Sequence, residues 1–228
     1  MDNGFIMILI FFGGLSFLVS MVLKRKFAKY SKVPTSSGLS GAEIGLRMLG
    51  HYGINDVKIV EGKGFLTDHY NPKTKVISLS PPVFRGRNVS AAAVAAHECG
   101  HAVQHAREYG PLRLRSSLVP VVQLSSRMWI WLIMGAFFMG GVGSAIGGSL
   151  FIIGIAMLGM ATLFSLITLP VEFDASNRAL AWLDNTGITQ GREYDGAKDA
   201  LKWAARTYVV AAIGSVVQLL YFIGLARD

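Results

Sequence analysis

This 228-residue chain is 52% hydrophobic, has a mean hydropathy of +0.44 and carries a net charge of +8, a combination that fits a multi-span membrane protein with basic segments on one side. No clustered basic and aromatic face accompanies the charge, which speaks against nucleic acid as a partner. The single cysteine, Cys99, excludes an intramolecular disulfide framework and leaves the redox compartment open. Taken in chain order, Phe5–Leu23 is a run of about 19 apolar residues, long enough to cross a bilayer. A cleaved signal peptide fits less well, because Asp2 precedes the run, no positive side chain does, and no small-residue cleavage pattern follows. The basic cluster Lys24–Lys32 should stay on the cytoplasmic side, which puts the amino terminus outside; contact with anionic lipid is a secondary use of it.

From Val33 to Ser117 the chain is polar enough to fold outside lipid. Ser40-Gly41-Ala42-Glu43 has capping-box spacing, so a short helix is expected over Gly41–Gly50, ending near Gly53. Val57–Glu61, Gly64–Thr67 and Lys75–Ser80 read as strands, with a turn at Asn71–Thr74. An edge strand there can hold an extended substrate through its main chain. A hairpin that merely covers the next helix is an equal reading.

That next helix, Ala91–Tyr109, is the centre of the chain. Ser90 is its expected N-cap, Ala91–Ala96 is strongly helix-forming, and Gly110-Pro111 is its expected stop. It carries His97-Glu98-Cys99-Gly100-His101, the H-E-x-x-H pattern. Residues four apart share a helical face, so both imidazoles can reach one Zn²⁺, with Glu98 placed to take a proton from its water. His105 continues the face but lies about 12 Å along the axis from His97, too far to bind the same ion. The metzincin pattern is absent, and Cys99 points away from the histidine face.

Beyond it, a helix is expected from Pro120, and Met128-Trp129-Ile130-Trp131 resembles an interfacial anchor, with Arg127 at the inner boundary. Residues 122–169 form a transmembrane hairpin, roughly Met128–Val142 and Gly147–Leu169, around the Gly-rich Gly140–Ser149. Residues 170–206 are polar again. Tyr208–Leu225 is a last apolar run, interrupted by Gln218, and whether it crosses fully is left open. Four spans with both termini outside put 20 of 22 Lys/Arg on one side, 15 in Lys24–Arg115 and five in Arg178–Arg206.

H-E-x-x-H supplies two ligands, and a catalytic zinc commonly takes three from protein. The hairpin returns the chain to the side it left, so Glu172, expected in the first turn after Pro170, can complete His97 and His101. Its other reading is an acidic residue that stabilises a helix amino terminus.

The stretches Thr67–Pro72, Ala95–His105 and Pro170–Ala179 resemble the YugP-type family of membrane zinc metallopeptidases over nearly the full length. More distantly, a metal helix, a transmembrane hairpin and a ligand Glu are similar to the HtpX/Ste24 class of gluzincin membrane proteases. The resemblance implies one catalytic Zn²⁺, Glu172 as third ligand, and peptide hydrolysis at the cytoplasmic face of a bacterial membrane. The distant class has an Asp four residues after the ligand Glu, orienting a zinc-bound histidine; this chain has Ser176, a weaker acceptor. Asn177 is an alternative orienter, and Asp174 should face elsewhere.

The expectation is therefore a mainly α integral membrane protein, one peptidase domain over 1–228, with about four transmembrane helices, a cytoplasmic zincin-like (gluzincin-type) site and a small β-element. Glu98 acts as general base, and His69, Tyr70 and Arg178 are candidate oxyanion donors, each with a plain stabilising role as its alternative. The partners expected are a protein or peptide substrate, membrane proteins included, the lipid bilayer, and a gating partner of unknown identity. An intramembrane site is disfavoured by three His, Glu98, Gln104 and Arg107 on the metal helix. A zinc-stabilised adaptor without proteolysis is the non-enzymatic alternative. It would need four protein ligands and no base.

Overall fold

A computed structural model describes Asn3–Arg227. Asp2 and the terminal residues assigned to the outside lie beyond the described residues. The chain is mainly helical with a small sheet, and among the described residues four helices are long and apolar enough to cross a membrane: α1 (Asn3–Tyr30), α5 (Gly110–Phe138), α6 (Ala145–Asn185) and α7 (Arg192–Leu225). Between α1 and α5 come α2 (Gly41–His51), β1 (Lys58–Glu61), β2 (His69–Asn71), β3 (Val76–Leu79), α3 (Pro81–Phe84) and α4 (Val89–Ala106). The fold divides into two compact units.

The first unit comprises the chain up to Leu18, Arg113–Leu169 and the chain from Thr207. Phe5, Ile133, Phe151, Leu158 and Phe222 form its small core, with the Phe5 and Phe222 rings 5.0 Å apart. Ile10, Phe11, Phe17 and Phe138 remain more than 60% exposed, an apolar surface that lipid would cover. The α5–α6 turn is shorter than expected. Gly140 and Gly141 take positive φ (96° and 74°), and Ser144 Oγ accepts from Gly147 N at 3.0 Å, so α6 begins at Ala145. Neither internal proline starts a helix. α5 already begins at Gly110, where Pro111 loses no helical hydrogen bond, and it runs on through Pro120; α6 likewise runs through Pro170. α7 passes Gln218 without a break.

The second unit comprises Val19–Leu112 and Pro170–Arg206. The capping box of α2 forms as expected, with Ser40 Oγ accepting from Glu43 N and Glu43 Oε2 from Ser40 N at 2.7 Å. The sheet has the order β1-β3-β2, β1 parallel and β2 antiparallel to β3. Its middle segment in sequence is not Gly64–Thr67, because Gly64 (φ 95°) and Leu66 (φ 57°) leave the extended region. His69–Asn71 pairs instead, anchored where the Asp68 carboxylate accepts from Ser80 N at 2.7 Å and ended where Asn71 Oδ1 accepts from Lys73 N.

α4 is buried on nearly every side, its run of alanines packed in the core with Ile44, Met48, Ile77 and Leu183. The N-cap is Asn88, not Ser90: Asn88 Oδ1 accepts from Ala91 N at 3.0 Å, and Ser90 lies inside the first turn, donating to the same oxygen. The helix ends at Ala106, where Glu108 adopts φ 51°, so Gly110-Pro111 opens α5 and does not stop α4.

Candidate metal centre

His97 and His101 stand one turn apart on α4, their ring centroids 4.8 Å apart. They face α6 across a close helix–helix approach. A Cβ built on Gly100 would lie 2.5 Å from the Ala175 carbonyl oxygen, so only glycine lets the two backbones come this near. Glu172 and Ser176 flank Ala175 on the facing side, and both are buried. Glu172 is mid-helix, not in a first turn, because α6 is continuous from Ala145. Stabilisation of a helix amino terminus therefore does not account for it.

Glu172 Oε2 lies 3.3 Å from His97 Nε2 and 3.6 Å from His101 Nε2. A direct charge-assisted hydrogen bond would be about 2.7–2.9 Å. Donors bound at about 2.1 Å to one tetrahedral ion stand about 3.4 Å from one another. The two carboxylate–imidazole distances thus fit a shared cation better than a direct pair, all three donors lie within 4.8 Å of one another, and two imidazoles with one carboxylate are a donor set suited to zinc. Glu98, adjacent to His97, is 7% exposed. Burial pushes its carboxyl above the usual range, and the opposing charges of His97 and His101 do not cancel that. A buried carboxylate beside the two imidazoles is placed to accept and pass on a proton.

The outer nitrogens of both histidines are engaged. Ser176 Oγ lies 3.1 Å from His97 Nδ1. His101 Nδ1 lies 3.0 Å from Gln104 Oε1, and Gln104 Nε2 donates to Val171 O and to Asp174 Oδ2, both at 2.8 Å. Asn177, the alternative orienter, is exposed. Gln104 is not among the residues the sequence singles out, and Asp174, expected to face elsewhere, meets neither histidine directly but accepts from Gln104. The i, i+3 offset of Gln104 from His101 was the available signal. Ser176→Ala is expected to weaken zinc binding about tenfold by removing the acceptor at His97, measured by chelator competition.

The candidate oxyanion donors have other partners. His69 is exposed, with Nδ1 2.8 Å from Thr67 O. Tyr70 OH lies 2.8 Å from His105 Nδ1, and Arg178 donates to both oxygens of Asp174, at 2.6 and 3.3 Å, beside the Tyr109 ring. Cys99 packs in the core as expected, and burial raises its thiol pKa.

Residues 5–227 match the family described as "Putative neutral zinc metallopeptidase". A curated relative, the "Putative membrane protease YugP" of Bacillus subtilis (strain 168), is 44% identical over 210 residues, covering 92% of this chain and 91% of its own. No solved structure matches.

Proposed function

Because this chain belongs to the neutral zinc metallopeptidase family, we propose that it is an integral membrane endopeptidase that hydrolyses peptide bonds of proteins at the cytoplasmic membrane face. The observation that carries the reading is the triad of donors: Glu172 Oε2 set 3.3 and 3.6 Å from the two imidazoles, with buried Glu98 beside them. His97, His101 and Glu172 would hold one zinc ion. Bound there, zinc would supply a Lewis acid that lowers the pKa of water and polarises the scissile carbonyl. Glu98 accepts the proton of the attacking water and passes it to the departing amine as the C–N bond breaks. Ser176 keeps the His97 ring in place.

The distribution of charge supports the sidedness proposed. The polar segments that carry the triad hold 20 of the 22 Lys/Arg, which supports a cytoplasmic site with both termini outside. The gluzincin assignment rests on the order of metal helix, hairpin and Glu172, and substrates drawn from membrane proteins suit a catalyst tethered by four spans. The test compares membranes with and without the expressed protein by counting new peptide termini with mass spectrometry. Termini that appear with the protein, vanish with a zinc chelator and return with added zinc are expected; their absence would overturn the proposal.

A further inference from the structure

The hydrogen bonds of Gln104 determine which way its amide faces. Val171 O is a main-chain carbonyl and Asp174 Oδ2 belongs to a carboxylate, so both only accept, and both lie 2.8 Å from the same end of the amide. That end must be the NH₂, since the reverse orientation would press a carbonyl oxygen against two acceptors. Arg178 grips both oxygens of Asp174 and keeps that acceptor in position. Oε1 is therefore the end that faces His101 Nδ1 at 3.0 Å, and an oxygen there requires Nδ1 to carry the proton. The lone pair of His101 is left on Nε2, the nitrogen 3.6 Å from Glu172 Oε2. The side chain of Gln104 has no solvent exposure, so water does not compete for either end.

We propose that Gln104 is the positioning residue of the metal centre: it locks His101 in the Nδ1–H tautomer and ties that ring to the stretch of α6 that carries Glu172. Val171 immediately precedes Glu172 and Asp174 follows two residues later, so one side chain on α4 sets the register of ligands on two helices. Arg178 contributes through Asp174. This assigns a role to a residue outside the H-E-x-x-H pattern, and it rests on the reading of His97, His101 and Glu172 as a zinc site.

The test measures zinc affinity of the full-length chain in detergent by chelator competition. Gln104→Leu, which keeps the volume but removes the acceptor, is expected to bind zinc 10–100-fold more weakly than the wild type. In the zinc-free protein the ¹⁵N shifts of the His101 ring should show the Nδ1–H tautomer in the wild type, and Gln104→Leu should lose that preference. A residue that only filled space would leave the His101 tautomer unchanged when replaced by leucine. Asp174→Ala, which leaves Gln104 in place but frees its amide to turn over, should lower affinity in the same direction by a smaller factor, and serves if Gln104→Leu fails to fold. Wild-type affinity in folded Gln104→Leu, an unchanged His101 tautomer in that variant, or unchanged affinity in Asp174→Ala would each overturn the proposal. A wild-type chain that binds no zinc would overturn the metal-site reading first, before any variant is compared.

Discussion

Glu98→Gln is expected to lower peptide-bond cleavage about 10²–10⁴-fold while the protein keeps its zinc. The amide has nearly the shape of the carboxylate but cannot accept the proton of the attacking water. Glu98 is not one of the three clustered donors, so zinc content should stay at the wild-type level. Its replacement also removes a buried ionisable group whose charged form burial disfavours, so folding should not suffer. Glu172→Gln is the contrasting variant: it replaces a charged ligand by a weak neutral one, and both zinc and activity should fall together. The measurement compares new peptide termini and bound zinc in membranes expressing each variant at equal levels. Wild-type activity in cells for Glu98→Gln, with no termini that depend on the chain, would favour a zinc-stabilised adaptor instead.

The parts of this site legible in the sequence are those fixed by helical periodicity. His97 and His101 one turn apart, and Ser176 one turn after Glu172, follow from the pitch of a helix alone, and the structure brings both pairs to one place. Helix boundaries were less legible, because capping competes among neighbouring polar residues. Asn88 and Ser90 both suit an N-cap, and Asn88 wins by reaching Ala91 N. The prolines misled for a related reason: Pro120 and Pro170 resemble starts, yet long apolar helices continue through them. β2 was displaced because positive φ at Gly64 and Leu66 is a matter of backbone conformation that alternation does not reveal. Gln104 and Asp174 were hidden because their roles depend on which turn of α6 meets α4, a tertiary fact. Gly100 carried that fact silently.

Gly100→Ala is expected to damage the centre more than its size suggests. On helix propensity alone the change should stabilise α4 by about 1 kcal/mol. Here the new Cβ would sit 2.5 Å from Ala175 O and 3.1 Å from Ala175 C and Cα, all backbone atoms that cannot rotate aside. An ordinary carbon–oxygen contact is about 3.3–3.6 Å, so the helices must part by roughly 1 Å. Metal–ligand bonds tolerate about 0.2 Å. Glu172 lies one turn from Ala175 on the displaced helix, so the separation falls directly on the spacing between it and the two histidines. Overpacking of this kind costs about 1–3 kcal/mol, which outweighs the propensity gain. The variant should therefore melt lower than the wild type and lose most of its zinc. Gly50→Ala on α2 provides the control, because nothing lies within 4 Å of the added methyl and only the propensity gain remains. Thermal unfolding in detergent together with zinc analysis checks both variants. If Gly100→Ala instead kept its zinc and melted as high as Gly50→Ala, α4 and α6 would not meet at Gly100, and the placement of Glu172 beside the histidines would lose its structural basis.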